Sequence, residues 1–171
     1  MLEAAITAGL CSVGADVLKV GVVPTPAIAY LTRFFNADAG IVISASHNPV
    51  EYNGIKFFSK DGHKLPDSME VAIEALLQEN NGNIQSPVGA GVGTTRLADG
   101  QKPYIDLIKS ALDVDLTGLK VVLDCANGAA YAVAPKIFEE LGATTYVFNN
   151  NPDGTNINVN CGSTHPMVIG E

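Results

Sequence analysis

Gly40-Ile41-Val42-Ile43-Ser44-Ala45-Ser46-His47-Asn48-Pro49 is an apolar run that ends abruptly in hydroxyl, imidazole and amide side chains. Its first five residues read as a short buried strand, and the polar residues fall at the carboxyl end of that strand. Open α/β sheets bind their ligands at the carboxyl ends of strands. The stretch therefore predicts both a fold class and the place where chemistry would sit. Gly54-Ile55-Lys56-Phe57-Phe58 reads as the next strand, closed by the turn signal Asp61-Gly62.

Upstream, Leu2, Ala5, Ile6, Gly9, Leu10 and Val13 recur at helical spacing, and the chain then switches to a near-continuous apolar strand over residues 15–23. A helix feeding a buried strand is the pattern of α/β proteins. Pro24-Thr25-Pro26 stops that strand and supplies an N-cap, Thr25, and a first helical position, Pro26, for a helix over residues 27–35. Downstream, residues 66–78 have the spacing of an amphipathic helix, whereas residues 79–100 dissolve into Asn, Gly, Pro, Thr and Ser and predict a loop or linker. Residues 103–112 predict a helix. Lys120–Asp124 predicts a strand, followed by a Gly-containing turn, a helix through Leu141 and a strand over Thr144–Phe148. That unit is β-α-β, expected to be parallel and right-handed. The fold class expected is α/β, a mixed or parallel sheet flanked by helices. Residues 1–100 are read as a first domain, residues 101–117 as an interdomain helix or linker, and residues 118–171 as the start of a second domain. The tail after Asn149 has turn residues but no element to cover the new sheet.

Hydrophobic residues at 47% and charged residues at 16% predict a packed core rather than a disordered chain. The 18 acidic against 10 basic side chains, a formal charge of -8, disfavour nucleic acid and anionic membrane, which are bound through clustered Lys and Arg. No apolar run approaches the roughly 20 residues that span a bilayer, and the amino terminus lacks the pattern of a signal peptide. A soluble, cytoplasmic chain is expected. Cys11, Cys125 and Cys161 are odd in number and widely spaced, without a C-x-x-C pair, so neither a disulfide framework nor a zinc site is predicted. They are expected to be reduced, with Cys11 and Cys125 buried.

Ser46 is a candidate nucleophile. A Ser and His hydrolase would need an Asp partner and a nucleophile elbow, and neighbouring side chains on an extended chain diverge. A polar turn without chemistry would use the same residues. Gly89-Ala90-Gly91-Val92-Gly93 has the glycines of a nucleotide loop, but it follows no strand and opens no helix, so it reads as linker. Asp124 is read as a turn former capping the next helix, with a role at the domain interface as the alternative. His63 is read as a solvated turn residue and His165 as part of a segment capping a following helix.

The run Gly40–Pro49, with Tyr52-Asn53-Gly54-Ile55-Lys56-Phe57-Phe58 behind it, resembles the active-serine loop of the α-D-phosphohexomutases, and within that superfamily the bacterial phosphoglucosamine mutases. The likeness extends through Val22-Val23-Pro24-Thr25-Pro26, Asp124-Cys125-Ala126-Asn127-Gly128-Ala129, Asp153-Gly154-Thr155-Asn156-Ile157-Asn158 and Asn160-Cys161-Gly162-Ser163-Thr164-His165-Pro166, and covers nearly the whole chain. The resemblance implies that Ser46 is the phosphoserine, that His47 and Asn48 are its substrate-binding neighbours, and that Lys56 faces the transferred phosphoryl group. It implies Mg²⁺ as cofactor, bound to Ser46 through its phosphate. A serine ester parks a phosphoryl group so that it can be given to one sugar hydroxyl and recovered from another.

The activity implied is interconversion of glucosamine 6-phosphate and glucosamine 1-phosphate through a bisphosphorylated sugar. Glucose or mannose phosphates are the near alternatives; Ser44-Ala45 before Ser46 and the Cys161–Pro166 segment favour glucosamine. The partner expected is a phosphorylated hexosamine, with no nucleic acid and no membrane, and a homodimer is left open. The superfamily's metal loop, an Asp-Gly-Asp-x-Asp-Arg run, is absent from this sequence. So are its N-terminal arginine-bearing strand, its sugar-selecting loop and its phosphate-binding loop. The expectation is therefore an internal segment of a mutase, truncated at both ends and inactive in isolation. A non-catalytic binding or oligomerisation module is the reading from another class.

Overall fold

The computed structural model describes residues 1–78 and 86–169. In chain order these form α1 (Leu2–Ser12), β1 (Val17–Lys19), α2 (Thr25–Phe34), β2 (Ala39–Ser44), β3 (Gly54–Ser59), α3 (Asp67–Gln78), β4 (Thr95–Leu97), α4 (Gln101–Ser110), β5 (Lys120–Asp124), α5 (Val133–Glu140) and β6 (Thr144–Phe148). Short 3₁₀ turns occupy Gly89–Gly91 and Pro166–Ile169. Among the described residues the strands pair two by two: β1 with β4 in parallel, β2 with β3 antiparallel, and β5 with β6 in parallel. The α/β class, with small parallel and antiparallel pairs flanked by helices, is as the sequence predicts.

The core sits where α2 lies on the β2–β3 pair. Val23, Ala27, Ile28, Leu31 and Phe58 are buried together, with Val42 and Tyr104 packed against them. Gly40 makes this close approach feasible, because a Cβ there would collide with the Thr32 hydroxyl oxygen and stand 3.1 Å from Ile28 Cγ2. Thr32, buried beside it, satisfies its hydroxyl by donating to Ile28 O at 2.8 Å. Truncating Leu31, 2% exposed, to Ala would cost about 2–5 kcal/mol through lost burial and the cavity left behind. The core thus holds β2 by its buried face and leaves its carboxyl end, Ser44, as a fixed platform.

Several elements depart from the sequence reading. The apolar run 15–23 yields only the three-residue β1, because Gly21, at φ +77°, turns the chain out of line. Pro24, not Thr25, takes the N-cap place of α2, and Ala27 N closes the first turn onto Pro24 O at 2.8 Å. Thr25 and Pro26 are therefore the first helical residues, and the Thr25 hydroxyl caps nothing. The predicted linker 79–100 contains β4. Asp16 draws it into place, its carboxylate accepting from Thr94 N at 2.7 Å and Thr94 Oγ1 at 2.6 Å. All three β4 residues are exposed, so no hydrophobic period marks them in the sequence. The glycine run of that segment forms one 3₁₀ turn; residues 79–85 of the linker reading lie outside the described residues.

Cys11 is half-buried rather than buried, since α1 lies at the surface with no buried residue; Cys125 and Cys161 are the buried pair, and the three thiols are free. The β5–α5–β6 unit is parallel, in register from Lys120 opposite Thr144 to Asp124 opposite Phe148. The tail after Asn149 does more than turn. It folds back over the carboxyl end of β5, with Asn158 N donating to Ala126 O at 2.9 Å and Cys161 only 1% exposed. His165 N donates to Gly162 O at 2.9 Å just before the last 3₁₀ turn.

Candidate active site

Two strand ends build the site by the same local device. At the end of β2 the Ser44 hydroxyl oxygen accepts from Ser46 N at 2.9 Å, and Ser46 takes a left-handed backbone, φ +57°. At the end of β5 Asp124 Oδ1 accepts from Ala126 N at 2.9 Å, and Ala126 is left-handed at φ +51°. A left-handed non-glycine residue is held against a backbone cost, and such residues gather at functional sites. Ala45, 3% exposed, anchors the β2 loop while Ser46, His47 and Asn48 after it are exposed. Asn48 N then donates to Ala45 O at 3.0 Å and Tyr52 N to Pro49 O at 3.0 Å before β3 begins.

Between these strand ends lies a cleft of about 720 Å³, lined by the β1–α2 link, the Ser46 loop, the turn over residues 127–131 and the returning tail. Clefts of several hundred cubic ångströms are the size that takes a sugar-sized ligand. Its polar wall is made of the hydroxyls of Thr25, Ser44 and Ser46, the amides of Asn53, Asn127 and Asn158, the His47 imidazole and the Tyr131 phenol. Among the described residues no carboxylate lines it, so a phosphorylated ligand meets no like charge there.

The β5 side is rigid. Asp124 Oδ1 also accepts from Asn149 Nδ2 at 3.0 Å, and Oδ2 accepts from Gly162 N at 2.6 Å. Burial pushes the Asp124 carboxyl up, but the bonds from Gly162, Ala126 and Asn149 outweigh it and hold the group below its ordinary value. Asp124 thus ties the tail to the strand end and does not cap α5, which starts only at Val133; this corrects the capping role read from sequence. Burial, and then the Asp124 charge, push the Cys125 and Cys161 thiols up, which keeps both protonated and unreactive.

From the tail, Asn158 Nδ2 donates to Ser46 O at 3.2 Å and to Asn48 O at 2.9 Å. The structure thus brings Ser46 and His47 to the cleft and places Asn48 beside it as a backbone acceptor. Lys56 lies on β3 opposite Val42, on the sheet face shared with Ser44, half-buried and not on the cleft wall. Asn127 and Asn158 are the site residues that sequence reasoning misses. A signal is available in the density of Asn at 149–151, 156, 158 and 160, a residue type that tolerates left-handed backbone, as Asn149, Asn158 and Asn160 do here. Among the described residues no group of three or more His, Cys, Asp or Glu could hold a metal ion. No helix there is long and apolar enough to cross a membrane.

Residues 1–83 match the family model for phosphoglucomutase/phosphomannomutase, alpha/beta/alpha domain I. The phosphoglucosamine mutase of Clostridium novyi (strain NT) is 58% identical over 170 residues, which is 99% of this chain and 38% of that protein. The chain is similar to phosphohexomutases over nearly all of its length. Solved members share its fold. A phosphoglucomutase/phosphomannomutase family protein from Burkholderia thailandensis superposes with a TM-score of 0.71 at 28% identity, over 90% of this chain and 34% of that one. A phosphomannomutase homologue from Thermus thermophilus gives a TM-score of 0.72 at 25% identity, over 88% of this chain and 34% of its own. The chain thus spans 38% of the length of the curated phosphohexomutase it resembles at 58% identity.

Proposed function

We propose that this chain is the active-serine part of a phosphosugar mutase that interconverts glucosamine 6-phosphate and glucosamine 1-phosphate. The observation that carries the reading is the 58% identity to a phosphoglucosamine mutase across 99% of the chain, through the very loop that exposes Ser46. In this reading Ser46 carries a phosphoryl group. Its Oγ–P bond breaks as a bond forms from phosphorus to the free sugar hydroxyl oxygen, whose proton passes to the Ser46 Oγ left behind. The sugar bisphosphate then turns over, and the Ser46 hydroxyl recovers the other phosphoryl group, regenerating the phosphoserine. His47 binds the substrate from the cleft wall, and Asn48 holds the loop beside it. In this reading the Lys56 ammonium, on the neighbouring strand, neutralises the phosphoryl oxygens as a cation.

Mg²⁺ belongs to the reading as an ion on the Ser46 phosphate. The described residues have no group of three or more His, Cys, Asp or Glu to complete its shell, so its further ligands would come from the rest of a longer protein. The substrate-binding surface of 171 residues would be shared with the rest of a longer protein, with residues 1–100 as one domain, 101–117 as the connecting helix and 118–171 as the start of another. The isolated chain is then inactive, and the whole enzyme works in the cytoplasm. Intact mass and peptide mapping of the full-length protein, carrying radiolabelled phosphate, test this: about 80 Da on Ser46, with the label passing to sugar phosphate when glucosamine 6-phosphate is added, is the expected result. Full turnover with Ser46 never phosphorylated would remove the mechanism.

A further inference from the structure

Among the described residues, the Ser46 loop is hydrogen-bonded from outside by a single side chain. Beyond the bonds within the hairpin itself, the backbone carbonyls of Ser46 and Asn48 both end on one amide group, Asn158 Nδ2, at 3.2 and 2.9 Å. Asn158 is itself fixed. Its backbone is left-handed, φ +58°, and its N–H donates to Ala126 O at 2.9 Å. Four residues on, Gly162 N is clamped by Asp124 Oδ2, and Gly162 stands so close to Ala126 that a Cβ there would meet Ala126 Cβ at 2.7 Å. An NH₂ group has two hydrogens to donate, and here they serve the two carbonyls that flank His47, with Asn158 half-buried against the cleft. Amide, β5 turn and tail thus form one rigid frame that reaches the serine loop through Asn158.

We propose that Asn158 is a positioning residue for Ser46: it fixes the backbone on both sides of His47, and so the direction in which the serine hydroxyl meets its substrate. The inference rests on the reading of Ser46 as phosphoryl carrier for its catalytic consequence, but its structural half stands without it. A nucleophile displaced by about 1 Å loses on the order of 10²-fold in rate while the rest of the pocket still binds. Removing the tether therefore lowers kcat and leaves KM near its original value.

Two variants separate the amide from the backbone. Asn158→Gly accepts the left-handed φ but has no amide, and Asn158→Asp keeps the shape while turning a carboxylate onto two carbonyl oxygens. Asn160→Gly is the control, because Asn160 has a similar φ of +51° and its side chain makes no hydrogen bond among the described residues. In the full-length protein, amide exchange over residues 45–53 should rise about tenfold or more in both Asn158 variants, with melting temperature little changed. Their kcat should fall about 10–100-fold at unchanged KM, and Asn160→Gly should match wild type in every measurement. Unchanged loop exchange in both variants, or exchange raised equally throughout the protein with a lowered melting temperature, overturns the inference. A raised KM at unchanged kcat overturns it too, by making Asn158 a substrate contact. If the wild type has no mutase activity, the functional reading fails, and the exchange measurement still decides whether Asn158 sets the loop.

Discussion

The turns after β2 and after β5 begin alike and end differently. Each strand finishes in a side-chain oxygen, Ser44 Oγ or Asp124 Oδ1, that accepts from the backbone N–H two residues on, and each of those residues is left-handed. Asp124 has a second oxygen and a charge, and it gathers Asn149 and Gly162 as well. Ser44 has one hydroxyl and gathers nothing further among the described residues. One turn is therefore closed over buried Cys125, the other opens Ser46 to the cleft and depends on Asn158 for its outside support. The same motif makes a frame where it has a carboxylate and an exposed loop where it has an alcohol.

The sharpest break in this comparison is Ser46→Ala. On the proposed reading of Ser46 as phosphoryl carrier, it should abolish conversion of glucosamine 6-phosphate by the full-length protein in the presence of a bisphosphate primer. The fold should change by less than about 1 kcal/mol in a denaturant titration, since an exposed hydroxyl leaves no cavity. Equal losses of stability and turnover would make the loop a structural element. Asp124→Ala should do the reverse: removing a charged acceptor of three hydrogen bonds should cost about 2–3 kcal/mol by the same titration. A cost near zero would mean that the tail is held by other means.

A pH series sharpens the second half. The folded Asp124 carboxyl lies below its ordinary value, so its stabilising contribution is complete above the unfolded value of about 4 and is lost as pH falls through the lower folded value. Wild type should therefore lose more stability than Asp124→Asn between about pH 5 and pH 2. Parallel curves for the two would refute the linkage. The smallest effect is expected for Ser44→Ala, which frees Ser46 N to bond water at a cost of about 0.5–1 kcal/mol. A larger loss there would show that the two turns are more alike than their bonding suggests.

How much of this can be read from sequence divides along the same line. β2, β3, β5, α5 and β6 are legible, because each is a compact apolar period with a turn residue at its end. β4 is not: Thr95-Arg96-Leu97 is exposed throughout, and what orders it is the Asp16 carboxylate 78 residues away. β1 is shorter than its apolar run suggests because Val20, Val22 and Val23 look like strand, while the φ of Gly21 decides otherwise. In the site, Ser46 and His47 are legible as polar residues after a buried strand. Asn158 is not, because its role lies in the chain's return, and the Asn-rich tail reads locally as turns. Asp124 reads as a cap from its neighbours, whereas its shortest bond is to Gly162, 38 residues on.

The tether from Asn158 to Ser46 bridges 112 residues of chain. Closing a loop of that length costs roughly 2 kcal/mol more entropy than closing the β2–β3 hairpin, so the contact comes late in folding, after the hairpin has formed. Pulse-labelled refolding should show β2 and β3 amides protected before those of residues 46–48; simultaneous protection would contradict that order. During synthesis the serine leaves the ribosome 112 residues ahead of the group that orients it. A chain interrupted in that interval would display its serine without the geometry to use it.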